Sequence, residues 1–278
     1  MAPRNRAEGW KHAKNSGHQN EQLAAQLVQS DPEIQRRLLH CAHWEGEKIV
    51  NIEFGGLNEH NVPCVFPGES TKSKSDLWLV MASGKRLNVS LKKDASGQAF
   101  LIGIDRFIRG YEAQYRTLIP NEVKRALMLY FGSAQDIPEI VKEYASSNIP
   151  LQVRKHRLVA ETLNSYDPTL AGLLLFWMDS NMENIFDFCF SRGLAQNPED
   201  WAHVLWYRNL LGEFSFDTMI NLQETPKMCF SSCFYGKRNG GSTIQLPFGF
   251  VQWHSPTKSI PGSMQFHHSY AKILDSLR

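Results

Sequence analysis

The chain lacks an apolar run long enough to cross a bilayer. The longest, Leu170 to Met178, is nine residues, where a spanning helix needs about 20. The opening MAPRNRAEGW has no apolar core of the kind a secretion signal carries. Cysteine is scarce and odd in number, five in 278 residues, which favours free thiols in a reducing compartment over a disulfide framework. No glycine-rich phosphate loop is present, which argues against a nucleotide cofactor, and neither an internal repeat nor a low-complexity tract appears. The expectation is a soluble cytoplasmic protein with no membrane partner. Its length suits one elaborated domain or two intimate ones.

A formal net charge of +2 conceals segregation. Residues 71–125 hold 11 Lys or Arg against 5 Asp or Glu, while residues 161–224 hold 2 against 10. From Thr225 onward the count is 6 against 1. Two distant basic stretches that share a face would suit a polyanion, although charge runs also arise as plain solvated faces.

One of those basic stretches contains the densest patterning, KSKSDLWLVMASGKRLNVSLKKDASGQAFLIGIDRFIRGYEAQY over residues 72–115. It reads strand, turn, strand, turn, helix. Leu77, Leu79 and Met81 alternate with Trp78, Val80 and Ala82, apolar on both faces as in a buried strand. Ser83-Gly84-Lys85 supplies the turn. In the second strand Leu87, Val89 and Leu91 point one way, and Asn88, Ser90 and Lys92 point the other. A helix follows from about Asp105 to Tyr115, spaced by Phe107, Ile108 and Tyr111. Asp76, heading the first strand, can therefore converge with Lys92, ending the second. A carboxylate there can ligate a hard divalent cation, and a fixed ammonium can sit against a phosphate and a water.

Asp76, with Ser90-Leu91-Lys92, resembles the paired motifs of the PD-(D/E)xK nuclease superfamily. The continuation SLKK, GQ, DRF, GYE and QY is similar, more narrowly, to type II restriction endonucleases with a Ser-x-Lys-Lys variant. The resemblance implies an α/β fold with a central mixed sheet flanked by helices, and sequence-specific, Mg2+-dependent cleavage of double-stranded DNA. It implies that Asp76 and the Leu91 carbonyl hold the metal, that Lys92 orients the water, and that Ser90 hydrogen-bonds within the site. Ser75 replaces the usual proline, and Ser90 replaces the second acid, leaving the metal one ligand short. Glu21, in the early helix, and Asp105 are the candidates to replace it; Glu21 is favoured because Asp105 is also placed to cap the helix it begins. Lys93 and Gln98 are further candidates, for backbone contact and for bracing the site. A homodimer is expected, since palindromic sites mirror a two-fold axis. A repair or mobile-element nuclease on the same core, or a decayed DNA-binding protein, are the rival readings.

Elsewhere, Leu23, Ala24, Leu27 and Val28 mark a first helix, and Ser30-Asp31-Pro32-Glu33 starts a second. Lys48–Phe54 reads as a strand, followed by a loop with Gly55-Gly56, Pro63 and Pro67-Gly68. Residues 120–225 read as mainly helical, including LAGLLLFWM and HVLWYRNLLGEF, whose large side chains suit a core. The tail reads as short strands with turns at 236–241 and 255–262, then a short helix. Its Lys237, Arg238, Asn239, Gln245, Gln252 and Gln265 can bond phosphates and base edges. The nuclease core is expected at 1–125, and a helical and β-rich part for recognition and dimerisation at 126–278. His40, Cys41 and His43, and Cys229 and Cys233 with His254 and His267, lack a specific zinc spacing.

Overall fold

Strands bury alternate side chains on opposite faces, and the run Leu77–Lys92 follows that rule closely. The computed structural model describes residues 6–54, 61–144, 156–212, 216–227, 232–238, 241–254 and 262–277. In chain order, α1 (Arg6–Ser30) and α2 (Pro32–Cys41) precede β1 (Ile49–Phe54), β2 (Asn61–Pro63) and β3 (Ser70–Lys72). Then come β4 (Leu77–Met81), β5 (Arg86–Lys92), β6 (Ser96–Gly103), α3 (Ile104–Tyr115), α4 (Asn121–Phe131) and α5 (Ile137–Tyr144). The helices α6 (Ala160–Tyr166), α7 (Pro168–Ser180) and α8 (Met182–Asp187) lead to β7 (Val204–Arg208) and β8 (Asp217–Asn221). The chain closes with β9 (Phe234–Arg238), β10 (Gly241–Leu246), β11 (Gly249–His254), β12 (Ser263–Ser269) and α9 (Tyr270–Ser276).

Two compact units result, one from residues 1–95 and 190–226, the other from 96–189 and 227–278. In the first, a mixed five-stranded sheet runs β1-β4-β5-β7-β8. Its one parallel pair joins β5 to β7, with Val89 opposite Val204 and Lys92 opposite Tyr207. The remaining pairs are antiparallel. Helices α1 and α2 cover one face. Ala24, Val28, Ile34 and Leu38 pack there with Leu77, Leu79, Leu87, Val89, Leu91 and Trp206 in one buried cluster. The mixed sheet flanked by helices agrees with the α/β class expected from sequence.

Local signals explain several boundaries. Gly84 takes a φ of +84° in the turn between β4 and β5, a backbone region that only glycine enters without strain. Asp31 caps α2 by accepting the Glu33 N–H at 2.9 Å, with proline at the first helical position. Asp167 does the same for α7, accepting from Thr169 and Leu170. Expectation and structure part at α3, which starts at Ile104 with Gly103 as the capping residue and no side-chain cap, so Asp105 lies in the first turn instead of capping it.

The larger difference concerns HVLWYRNLLGEF, expected as helix. Val204–Arg208 is a strand inside the mixed sheet. Val204, Leu205, Trp206 and Tyr207 are all fully buried, so a strand apolar on both faces gives the same continuous pattern as a buried helix. Residues 96–103 likewise form β6, where the sequence pattern gives only a turn between the strand ending at Lys92 and the helix from about Asp105.

The second unit holds an antiparallel sheet ordered β6-β12-β11-β10-β9. Its buried side chains include Ile244, Val251, Met264 and Phe266, alongside Phe107, Tyr111 and Tyr130 from its helices. The rings of Phe107 and Phe266 lie 5.9 Å apart. LAGLLLFWM is the helical core segment expected, with Leu174 and Met178 fully buried. The turn at 255–262, except Gly262, and Asn239 lie outside the described residues, as do Gly55-Gly56 and Cys229.

Trp206, fully buried on β7, packs into the core of the first unit, and its indole N–H donates to Asp217 at 2.8 Å. Trp206→Ala is expected to cost about 3–5 kcal/mol, read as a drop in urea midpoint. A loss under about 1 kcal/mol would contradict the assignment of β7 to the core.

Candidate active site

The antiparallel pairing of β4 with β5 ends at Leu77 opposite Val89, and Asp76 continues it one step through its own N–H, which donates to the Val89 carbonyl at 2.8 Å. This sets the Asp76 side chain at the end of the sheet. Its Oδ2 accepts the Leu91 N–H at 2.6 Å and lies 3.5 Å from the Ser90 hydroxyl, a long contact. The Lys92 ammonium donates to Ser90 Oγ at 3.2 Å. Ser90 thus stands between the acid and the lysine, on the sheet face opposite Leu87, Val89 and Leu91, as the alternation implied. In an antiparallel ladder, residues two apart direct their backbone groups to the same neighbour. The Leu91 carbonyl therefore shares the edge on which Val89 meets Asp76.

Glu21 comes to this cluster from α1. Asn20, one residue earlier and only 1% exposed, donates from Nδ2 to the Arg208 carbonyl at 2.9 Å and accepts the Leu210 N–H at 2.8 Å. That pair of bonds fixes the middle of α1 against the end of β7, and so fixes where Glu21 emerges. His18, one turn back, bonds the Glu21 carboxylate through Nδ1 at 3.1 Å. Sequence reasoning missed both Asn20 and His18. The only sequence trace of Asn20 is a polar residue inside an apolar helix stripe.

The electrostatics bind these groups together. Burial holds the Glu21 carboxyl above the usual carboxylate range and the negative charge of Asp76 raises it further, while His18 and Lys92 work in the other direction. Asp76 is raised too, chiefly by burial, against the opposing pull of Lys92, the Leu91 N–H, Ser90 and Lys74. Two carboxyls that lose solvent and repel each other favour a bound cation or a proton.

That donor set, two carboxylate oxygens and a neighbouring backbone carbonyl, has the hard-oxygen chemistry Mg2+ prefers. Among the described residues there is no cluster of three or more His, Cys, Asp or Glu able to hold a metal by themselves. His40 and His43 instead pair with Glu45 and Glu224.

No protein-family model matches the chain, and no curated protein does. Among solved structures the chain is similar to the restriction endonuclease MspI in complex with its cognate DNA. That likeness has a TM-score of 0.43 and 11% identity, and covers 84% of this chain and 77% of the other. No described helix is long and apolar enough to cross a membrane.

The remaining residues singled out from sequence lie as follows. Lys93 pairs with the adjacent Asp94 at 3.1 Å. Gln98, Gln252 and Arg238 belong to the antiparallel sheet of the second unit, as does Lys237, which pairs with Glu161 at 2.7 Å. Lys237 and Arg238 are consecutive in β9 and therefore point to opposite faces. Asp105 lies in α3 of that second unit.

A raised folded-state pKa sets the sign of a pH effect. Because folded Glu21 and Asp76 hold protons more tightly than the unfolded chain does, stability falls as pH rises from the ordinary carboxylate range, about 4, through the raised values. Glu21→Gln removes one of the two charges. In metal-free protein at neutral pH it is expected to raise Tm by about 2–4 °C, on the order of 1 kcal/mol for a chain of this size, with no gain at about pH 4. Differential scanning calorimetry at the two pH values checks this. A gain of equal size at both would remove the charge as its cause.

Proposed function

We propose that this chain is a Mg2+-dependent endonuclease that hydrolyses double-stranded DNA at a specific sequence, in the manner of a type II restriction endonuclease. The observation that carries the reading is the linked set Asp76, Ser90 and Lys92 with the Glu21 carboxyl inside its electrostatic field. An acid cluster beside a fixed ammonium is what a phosphodiester needs in order to accept a negatively charged nucleophile.

Asp76, Glu21 and the Leu91 carbonyl would hold Mg2+, which supplies a water of lowered pKa and neutralises charge on the phosphate. Lys92 binds a phosphate oxygen and orients the attacking water from its position against Ser90 Oγ. Ser90 keeps that ammonium from collapsing onto Asp76, because its hydroxyl accepts from Lys92 and stands beside the carboxylate. Water adds to phosphorus in line and gives up a proton to solvent, the P–O3′ bond breaks, and the 3′ oxygen leaves as it takes a proton from solvent. The products are a 5′-phosphate and a 3′-hydroxyl. A homodimer belongs to the same proposal, because a palindromic site presents the same half twice. Lys93 and Arg238 are proposed to contact the DNA backbone, whereas Lys237, on the opposite face of β9 from Arg238 and paired with Glu161, is left out of that contact.

Ser90, standing where the superfamily has an acid, gives one specific ground for a binding-only reading. Digestion separates the two. The wild-type protein with Mg2+ is expected to cut phage or genomic DNA into a discrete ladder whose fragments share one end sequence, and EDTA is expected to abolish it. Lys92→Ala is expected to keep DNA binding and to cut about 100- to 1000-fold more slowly. Binding without cutting by the wild type, across several DNAs, would leave only the binding protein.

A further inference from the structure

The antiparallel sheet of the second unit packs Ile244, Val251, Met264 and Phe266 into its core, and its opposite face carries an ordered chain of amides. Gln252 on β11 donates from Nε2 to Gln265 Oε1 on β12 at 2.8 Å. Gln265 in turn donates to Gln98 Oε1 on β6 at 2.7 Å. The ladder ends at Gln98, which is exposed and lies on an edge strand of the sheet.

Gln98 reaches that face through an irregularity in the strand. Along β12, Gln265 pairs with Leu101 and Phe266 with Phe100, but His267 pairs with Gln98, so Ala99 is the extra residue of a bulge. Regular pairing would set Gln98 opposite His268, on the side of Phe266 and the core. One inserted residue turns it outward, the usual effect of a bulge on a side chain.

Beside the ladder, His267 stacks on Phe250 at 4.4 Å and 8° between planes, and the Arg238 guanidinium lies 4.4 Å from the Phe250 ring centre. Burial, with Arg238 adding to it, pushes the His267 imidazole down to about 4. The ring is therefore neutral at physiological pH, and Arg238 provides the positive charge of this patch.

We propose that Gln98, braced by Gln265 and Gln252, reads an adenine in the major groove of duplex DNA, so that the recognition site contains an A·T pair. This rests on the nuclease reading above and names what part of the substrate a second surface recognises. Gln98 Oε1 spends one lone pair on Gln265 and keeps the other, and among the described residues both N–H groups of its Nε2 remain. An amide with one donor and one acceptor side by side matches the N7 and N6 edge of adenine. The bracing amides hold that orientation before DNA arrives, which lowers the entropy cost of forming the contact. An edge strand can also enter a groove about 12 Å wide, which the middle of a sheet cannot. In the chain, only Lys93–Ala95 separate the end of β5, at Lys92, from the start of β6.

The test selects bound sequences from a random duplex library with the Lys92→Ala protein, with and without Gln98→Ala. The Lys92→Ala protein is expected to enrich a site with an invariant A·T pair. Replacing that adenine by 7-deazaadenine should weaken binding roughly ten- to hundredfold. In the Gln98→Ala background the same position becomes degenerate, the remaining positions stay fixed, and 7-deazaadenine has no effect. Gln265→Leu, which removes only the brace, should relax that position partly. An enriched site without an A·T pair, or one unchanged by Gln98→Ala even where the variant melts earlier, overturns the adenine contact and leaves the nuclease standing. If nothing is enriched and the wild-type protein also cuts no DNA with Mg2+, the nuclease reading falls with it.

Discussion

The pairing of β5 with β7 governs the first unit. Without it β5, the strand that carries Ser90 and Lys92, would be an edge, and one side of its backbone would need other partners. Parallel strands require a crossover connection, and here the intervening chain includes residues 96–189, which belong to the other compact unit. Trp206 and Val204 then complete the apolar layer that seats α1, and α1 carries Glu21. The position of a carboxylate from the start of the chain thus depends on a strand formed from residues near 205.

The candidate site is held by small polar adjustments rather than by strong ion pairs. Ser90 is nearly fully buried and touches both Asp76 and Lys92, which suits a hydroxyl that can donate and accept at once. A carboxylate in its place would bring a third negative charge beside Glu21 and Asp76, both already raised by burial. Asn20 anchors α1 with both ends of its amide. A buried amide that fills its hydrogen bonds contributes position as well as stability.

Much of β4 and β5 was legible because their alternation is local. The division of Leu87, Val89 and Leu91 from Asn88, Ser90 and Lys92 follows from period two alone. The strand β7 was not legible, because burial on both faces erases the alternation that separates strand from helix. The anchoring of Glu21 was also hidden, since Asn20 meets Arg208 across 188 residues and no local pattern announces it. The outward turn of Gln98 depends on a bulge, and a bulge is a property of two paired strands. By contrast, the opposite facing of Lys237 and Arg238 could have been read from their adjacency once β9 was recognised as a strand.

The order of the strands along the chain has a consequence for synthesis. A ribosome releases β5 well before β7 and β8, which end at Asn221. At about 5–20 residues per second the wait is on the order of ten seconds. Through that interval the lysine-bearing strand has no parallel neighbour, and α1 has no Arg208 carbonyl to grip. A nascent polypeptide therefore cannot fix Glu21 beside the hairpin of Asp76, Ser90 and Lys92 until β7 has emerged, so an early carboxylate waits on a late strand for its place.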